Sequence, residues 1–286
     1  KRVALSIEAF HKASLVHDDI EDDDSYRYGR ETLHRQYGVS TAINAGDYLL
    51  GMGYRLVSRE IATLGGECVA DILASLSDAH VKLSEGQGAE LLWRDSSEKT
   101  LTPLDALKIY ALKTSPAFEA ARYAGLRLAG PADDYQKIVN DFCKNLVVAF
   151  QILNDLKDWN GDEDNKLIAG QDVLAARPTL LLALALEALD EVEKQELLAL
   201  LDEEHDASSD ARVVARAREL FEKAKVFQKA EKLVEKYRAR SEAIADEVEP
   251  TELRELLYYL VDSVLDNELK VEPEGVTQLV QLGSTQ

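Results

Sequence analysis

The chain has 286 residues, and its 53 Asp and Glu outnumber its 33 Lys and Arg, which gives a formal net charge of −20. So acidic a chain lacks the basic surface that a nucleic-acid backbone requires, and no apolar run approaches the about 20 residues of a membrane span, so we expect neither nucleic-acid binding nor stable membrane insertion. The two cysteines, Cys68 and Cys143, form no CxxC pair, which argues against a zinc site or a disulfide framework and predicts a reducing, cytoplasmic location.

Apolar residues recur at helical spacing along the chain, and the alternating runs typical of strands are scarce, which predicts an all-α fold. Pro116 lies inside a helical pattern, so we expect a kink or a break there. The polar segment at about 159–176 is predicted to be a mobile functional loop, and the tail from about 267 to be loosely held. We interpret residues 1–286 as one domain. The predicted helices span about 3–24, 40–59, 67–94, 103–128, 132–157, 178–188, 190–203, 209–223, 225–246 and 250–266.

The first predicted helix ends in an acidic stretch, HDDIEDDD, at residues 17–24. Residues three and four apart share a helix face, so Asp18 and Asp22 point the same way and Asp19 lies beside them. Carboxylates massed on one face repel each other, and oxygen ligands without cysteine suit a hard cation such as Mg²⁺. Taken alone, the stretch is equally consistent with a solvated, acidic helix end.

A second cluster, FQILNDLKD at residues 150–158, ends another apolar helix. Asn154, Asp155 and Asp158 repeat the spacing of the aspartates in the first cluster. If the two helices face one another, their polar patches lie across a cavity, and Mg²⁺ ions between them would hold a diphosphate. Neutralising the charge on that leaving group lets a carbon–oxygen bond ionise. The pair of clusters therefore favours a metal-dependent enzyme over a solvated charge run.

These motifs resemble those of the trans-isoprenyl diphosphate synthases, the polyprenyl synthetase family, which are all-α enzymes that join allylic diphosphates to isopentenyl diphosphate. The resemblance extends from about Val3 to about Leu265. It implies a single-domain helical bundle of the isoprenoid-synthase type around a central cavity, and a homodimer. Beyond the two acidic clusters, it rests on Thr32-Leu33-His34, Tyr37-Gly38, Ala42-Ile43-Asn44-Ala45-Gly46-Asp47, Gly86-Gln87, Lys113-Thr114, Lys166 and Gly170-Gln171-Asp172.

The resemblance also implies roles for individual residues. About three Mg²⁺ ions would bind both acidic clusters together with the diphosphate. The implied metal ligands are Asp18, Asp19, Asp22, Asn154, Asp155 and Asp158. The implied substrate-binding residues are Arg27, Lys113, Gln151, Lys166 and Arg177. The implied catalytic residues, which would lie beside the forming allylic cation, are Lys113, Thr114 and Gln151.

Four features depart from the family pattern. Tyr28 replaces the second of two adjacent arginines, which normally serves isopentenyl diphosphate, so a charged phosphate contact is lost. The upstream Gly-Lys-x-x-Arg segment is not in this chain. Because the chain starts at Lys1 and its one Met is Met52, we expect that segment in a missing N-terminal part. Asn154 replaces an aspartate and so weakens one metal site, and Arg177 replaces a lysine.

Because these losses fall mostly on the isopentenyl side, two other functions are open. One is a class I terpene-cyclase-like enzyme that ionises an allylic diphosphate alone, since Asn154, Asp158 and Asp162 recur at a spacing similar to the metal motif of those enzymes. The other is a catalytically inactive synthase subunit that supports an active partner. The aspartates retained in both clusters favour the chain-elongating synthase.

The helix that carries Asp18 also predicts product length, if the resemblance holds. Ala13 and Ser14 lie about one turn before Asp18 and are small, where bulky aromatic residues in the family stop the chain early. Phe10 lies one turn deeper on the face of Ser14 and is a candidate floor of the pocket. Since a growing chain stops when its pocket is filled, we predict a product of about C20–C25.

Overall fold

The computed structural model describes residues 1–130, 133–160, 169–201 and 210–265. Across these residues the chain forms thirteen α-helices and one short β-hairpin, so the predicted all-α class is confirmed. The hairpin pairs β1 (Tyr26–Arg27) with β2 (Arg30–Glu31). The helices are α1 (Arg2–Glu21), α2 (Leu33–Tyr37), α3 (Val39–Ser58), α4 (Ile61–Leu64), α5 (Gly66–Arg94), α6 (Pro103–Ala129), α7 (Asp133–Asp158), α8 (Gln171–Leu174), α9 (Leu180–Ala188), α10 (Glu191–Leu201), α11 (Asp210–Lys223), α12 (Val226–Asp246) and α13 (Thr251–Leu265).

Each of the ten predicted helices is present, and the short helices α2, α4 and α8 were not predicted, because four or five residues show no helical period. The prediction of a break at Pro116 is wrong, since α6 runs through this residue without interruption. The start of α6 is well fixed, because Thr102 accepts a hydrogen bond from the backbone N–H of Asp105 at 3.2 Å in a capping box. Residues 161–168 of the predicted loop, and the predicted tail, lie outside the described residues.

The two helices that carry the acidic clusters have different neighbours. α1 packs against α3, α7 packs against α6 and α12, and α5 lies along α6. Glycines allow α1 and α3 to approach closely, since the rings of Phe10 and His17 on α1 occupy the space where a Cβ on Gly53 and Gly46 would lie. The ends of α1 and α7 are therefore positioned by packing along the whole length of each helix.

α9 is apolar on every side and belongs to the largest buried apolar cluster, in which residues 180–186 are all buried. A helix that is apolar all round is typical of a protein core. It begins after Thr179, whose hydroxyl accepts a hydrogen bond from the backbone N–H of Leu182 at 3.2 Å. This cap fixes the end of the linker between α8 and α9. Neither α9 nor any other helix in the described ranges is long and apolar enough to cross a membrane.

α5 and α6 approach each other closely at Gly86. A Cβ there would lie 2.7 Å from the carbonyl carbon of Leu112 and from the amide nitrogen of Lys113. We expect Gly86→Ala to lower the free energy of unfolding by about 1–3 kcal/mol, because overpacking forces the two helices apart. Gly88→Ala, on the same helix, meets no atom within 4 Å and should raise it by up to about 1 kcal/mol, since Ala is the better helix former. Urea unfolding measures both, and equal effects would contradict the close approach.

Candidate active site

One cavity of about 780 Å³ lies where the C-terminal ends of α1 and α7 meet α5, α6 and the linker between α8 and α9. Both acidic clusters open onto it, so the two motifs share a single cleft. We call the side chains of Asp18 and Asp22 the first wall, and those of Asn154, Asp155 and Asp158 the second wall. The predicted site residues that line the cavity are Asp18, Asp22, Arg27, Lys113, Thr114, Gln151, Asn154, Asp155, Asp158 and Arg177.

The first wall combines a desolvated carboxyl with a paired one. Burial raises the pKa of Asp18 to about 6, an effect that the nearby Lys113 opposes. Asp22 accepts a hydrogen bond from Nη1 of Arg94 at 2.7 Å, and Nη2 of Arg177 lies 3.0 Å from its other oxygen. Asp22 is therefore held between two guanidinium groups that come from distant segments of the chain.

The β-hairpin holds Arg27 over the first wall. The Nε of Arg27 donates to the buried carboxylate of Asp19, and its Nη2 lies 3.7 Å from Asp24. The tight turn between the strands consists of Tyr28 and Gly29, both with positive φ, at 51° and 71°. Positive φ is uncommon for a residue with a side chain and is often retained where function requires it. The ring of Tyr28 is 67% exposed at the tip of the hairpin.

One residue of the second wall, Asp155, is held by a hydrogen bond from a buried tyrosine. The hydroxyl of Tyr110 donates to the buried carboxylate of Asp155 and accepts a hydrogen bond of 2.6 Å from the backbone N–H of Leu180. Burial raises the pKa of Asp155 well above its ordinary value, and the nearby charge of Asp172 adds to the effect. Asp155 is thus held in place by α6 and by the start of α9.

Arg177 connects the first wall to α8. Its Nη1 donates to Asp172 at 3.0 Å, and its Nη2 lies 3.0 Å from Asp22 and 3.5 Å from Asp24. Although burial lowers the pKa of Arg177, these three carboxylates raise it above its ordinary value. The preceding residue, Ala176, has a positive φ of 49°. We call this set of ion pairs the arginine clasp.

Asp158 is held by α8, because the backbone N–H of Asp172 donates to its carboxylate at 3.3 Å. Burial, together with the nearby charge of Asp172, raises the pKa of Asp158 to about 7. Between Asp158 and Asn154, the side chain of Lys157 also lines the cavity, and burial lowers its pKa. The end of α7 therefore presents both acidic and basic groups.

Two further contacts lie in the middle of α6. The Nζ of Lys113 donates to the buried carboxylate of Glu90 at 2.7 Å. The amide nitrogen of Gln151 donates to the hydroxyl of Thr114 at 2.6 Å, which links α7 to α6. The carbonyl oxygen of Gln151 and the lone pairs of Thr114 are thus fixed dipoles beside the acidic walls.

Other predicted residues lie elsewhere. Lys166 is outside the described residues. Asp19 is buried behind the first wall, where it pairs with Arg27.

Ser14 was expected to face the chain-length pocket, but it is exposed, because Ala13 takes the buried side of α1. The hydroxyl of Ser14 donates to the carbonyl of His11 at 2.9 Å. Phe10 packs edge-on against the ring of Tyr54, with 4.8 Å between centroids. Neither Phe10 nor Ala13 lines the cavity described above.

Sequence reasoning missed several residues that complete the cavity. Glu90 and Arg94 follow Gly86 at intervals of four, and Tyr110 precedes Thr114 by four, so helical spacing from the recognised pairs would have found them. Asp24 carries no such signal, because it lies in the irregular segment after α1, and Asp172 was recognised only as part of the Gly170-Gln171-Asp172 motif, without a role. Their role as partners of Arg177 depends on the tertiary fold.

The donor set fits a hard divalent cation. Among the described residues, the cavity is lined by carboxylate, amide and hydroxyl oxygens together with basic groups, and by no cysteine or histidine. No three acidic, histidine or cysteine side chains of the described chain converge on one point as a preformed metal site. Mg²⁺ typically uses only one or two carboxylates and completes its shell with water and phosphate oxygens. These residues therefore suit Mg²⁺ that arrives with a phosphate ligand.

The chain belongs to the polyprenyl synthetase family, whose sequence profile matches residues 1–219. It is 30% identical over 267 residues to a short chain isoprenyl diphosphate synthase of Methanothermobacter thermautotrophicus, an alignment that covers 93% of this chain and 79% of that protein. It is 31% identical to a geranylgeranyl diphosphate synthase of Sulfolobus acidocaldarius over 68% of this chain and 59% of that protein. The crystal structure of a geranylgeranyl pyrophosphate synthetase from Pyrococcus horikoshii matches with a TM-score of 0.82 at 29% identity, covering 93% of this chain and 79% of that one.

The raised pKa of Asp18 predicts a pH-dependent stability of the metal-free protein. A carboxyl whose folded-state pKa is about 6, against 3.8 in a model compound, stabilises the fold at low pH, and this contribution is lost as the pH rises through 6. In EDTA, Asp18→Asn should therefore raise the free energy of unfolding at pH 8 by about 2–3 kcal/mol, with little change at pH 4.

Urea titrations at the two pH values measure this difference. Asp141→Asn, on the exposed side of α7, is the matched control and should show no such pH-dependent gain. A gain for Asp18→Asn that is the same at pH 4 and pH 8 would show that desolvation of the carboxylate is not its cause.

Proposed function

We propose that this chain is a Mg²⁺-dependent prenyltransferase that condenses an allylic diphosphate with isopentenyl diphosphate head-to-tail to give a trans-prenyl diphosphate. The observation that carries this proposal is that both acidic walls, with the basic groups between them, open onto one cavity. Membership of the polyprenyl synthetase family supports it. Relatives named as geranylgeranyl, geranylfarnesyl and octaprenyl diphosphate synthases show that product length differs among similar chains.

The diphosphate of the allylic substrate would lie between the walls. Asp18 and Asp22 on one side, and Asn154, Asp155 and Asp158 on the other, would hold about three Mg²⁺ ions, with Asp19 behind the first wall holding Arg27. When bound, these ions neutralise charge on the leaving diphosphate.

The basic residues would serve the same group. Arg27, Lys113 and Arg177 are each paired with carboxylates in the described structure, and a diphosphate offers them stronger, multiply charged acceptors. Lys166 would join them from the loop after α7. Metal ions held by the carboxylates would compete with Arg177 for them, and the guanidinium group of Arg177 would then donate to phosphate oxygens.

In the reaction, the allylic carbon–oxygen bond breaks and its electron pair leaves with the diphosphate. The allylic cation is attacked by the double bond of isopentenyl diphosphate, which forms the new carbon–carbon bond, and a proton is then lost to the released diphosphate. Thr114 and Gln151 would stabilise the cation, because their fixed oxygen dipoles lie beside the walls. Lys113 would orient the departing diphosphate beside them.

A second candidate function is ionisation of an allylic diphosphate without isopentenyl diphosphate, as in class I terpene cyclases. The observation that favours it is Tyr28, which sits exposed at the hairpin tip where the family has an arginine. An uncharged phenol cannot replace a bidentate guanidinium–phosphate contact. The same feature is consistent with a catalytically inactive subunit, and one assay distinguishes the three functions.

In that assay, the full-length protein is incubated with Mg²⁺ and farnesyl diphosphate, with and without isopentenyl diphosphate, and products are identified by mass. Elongation that needs both substrates is expected. Asp18→Ala should lower kcat by about 10³-fold or more, since a lost ligand weakens charge stabilisation by several kcal/mol. Asp141→Ala is the control and should retain activity. A hydrocarbon or alcohol from farnesyl diphosphate alone would favour the cyclase, and no turnover with any allylic substrate would favour the inactive subunit.

We propose a product of about C20–C25, since a chain grows until its pocket is filled. Phe10 is the candidate floor, because its ring packs between α3 and α5, where it contacts Gly53 and Tyr54 and lies 6.4 Å from the ring of His80. Ala13, one turn nearer the first wall, is small and fully buried.

Phe10→Ala should shift the product distribution toward longer chains, because it deepens the pocket by one aromatic side chain. Chromatography of the dephosphorylated products measures the shift. Phe118→Ala is the matched control, since Phe118 is also a half-buried aromatic residue but packs against the cluster formed by α7, α12 and α13. An unchanged product after Phe10→Ala, or the same shift in both variants, would contradict the role of Phe10.

We also propose that residues 1–286 are one domain, that the protein is a homodimer and that it is cytoplasmic. α3 exposes Val39, Ile43 and Tyr48, an apolar surface that a second copy would cover. The two cysteines are free and buried, which suits a reducing compartment.

A further inference from the structure

Lys157 is the penultimate residue of α7, and its side chain lines the cavity between two residues of the second wall, Asn154 and Asp158. Within the described part of the chain, its ammonium group takes part in no hydrogen bond or ion pair. The other basic side chains that line the cavity each lie against a carboxylate. These pairs are Arg27 with Asp19, Lys113 with Glu90, and Arg177 with Asp172.

A half-buried ammonium group without an anionic neighbour is unfavourable, because it has lost part of its hydration without gaining a partner. A long, flexible lysine side chain would normally extend to solvent and avoid this cost. Here the side chain stays at the cavity, which leaves the ammonium available to an anion that enters.

The second wall carries little negative charge for this cation to meet. Asn154, three residues earlier on the same face of α7, is uncharged. Asp155 is buried and engaged with Tyr110, and Asp158 accepts from the backbone of Asp172. The end of α7 therefore combines the uncharged amide of Asn154 with the ammonium group of Lys157.

On this basis, and resting on the proposed function, we propose that Lys157 binds the diphosphate of the allylic substrate directly and supplies positive charge at the second wall that a metal ion on a third carboxylate would otherwise supply. The ammonium donates to phosphate oxygens, so it acts as a substrate-binding residue. No bond is made or broken at the lysine.

A purely structural role makes a different prediction. A lysine in the last turn of a helix interacts favourably with the helix dipole and the free carbonyl groups. If that were its only role, replacing Lys157 would lower stability and leave phosphate binding unchanged. Binding must therefore be measured separately from stability.

Isothermal titration calorimetry of the metal-free protein with inorganic pyrophosphate, in EDTA at low ionic strength, tests the proposal. We expect Lys157→Gln to weaken binding by about tenfold or more, as for the loss of one charge-assisted hydrogen bond. Lys144→Gln is the matched control, since Lys144 is on the same helix but is exposed and outside the cavity. Equal affinities of the two variants, or no binding by the unsubstituted protein, would overturn the proposal.

A second variant tests the same idea without removing the lysine. Asn154→Asp places a carboxylate three residues before Lys157, where it pairs with the ammonium. We expect it to weaken metal-free pyrophosphate binding and to strengthen binding of Mg²⁺ alone; unchanged pyrophosphate affinity would count against the proposal. The elongation assay separates this test from the proposed function: if Lys157→Gln loses pyrophosphate affinity but the unsubstituted protein elongates no substrate, the anion site stands and the proposed function fails.

Discussion

Many carboxylates lie around one cavity in this structure, and the fold depends on offsetting the electrostatic repulsion between them. The arginine clasp provides the main solution, because Arg177 lies against Asp22 and Asp24, which follow α1, and against Asp172 of α8. Arg94 and Arg27 neutralise neighbouring carboxylates in the same way. A diphosphate with divalent ions would present the complementary set of charges, so binding of the proposed substrate would exchange one set of charge pairs for another.

The carboxylates and the arginines that pair with them lie mostly on different kinds of element. The carboxylates of both walls lie at the ends of long helices held by close packing, such as the approach of α1 to α3 at Gly46 and Gly53. Two of the arginines that face them, Arg27 and Arg177, lie in short segments where Tyr28 and Ala176 adopt positive φ. Strained residues of this kind persist where the surrounding structure requires them. The proposed metal ligands are thus held by helix packing, while two of the basic groups that would change partners lie in short segments.

Sequence periodicity was sufficient for the long helices and for the two acidic clusters, because a 3.6-residue repeat and a repeated spacing of carboxylates are local properties. It failed where a partner is distant in sequence. Helical spacing from Thr114 places Tyr110 on the cavity side of α6, but it does not indicate the partners of Tyr110, which are Asp155 and Leu180 at long intervals along the chain. The break expected at Pro116 is absent because one lost hydrogen bond costs less than the packing of α6 against α5 and α7 contributes. Ser14 was predicted to face the chain-length pocket and is exposed, because the small size of a side chain does not show which face of α1 is buried.

The two acidic clusters have the same spacing but not the same charge. Residues 18–22 contain four acidic side chains and no basic one, whereas residues 154–158 contain two aspartates and one lysine. The net charges are therefore −4 and −1, and the difference comes from Glu21, Asn154 and Lys157. Divalent ions favour the more negative side, so they would concentrate on α1, and the side of α7 would rely more on the protein's own cation. An asymmetric site of this kind still neutralises a leaving diphosphate, because that step requires positive charge around the phosphate oxygens and does not require that all of it come from metal.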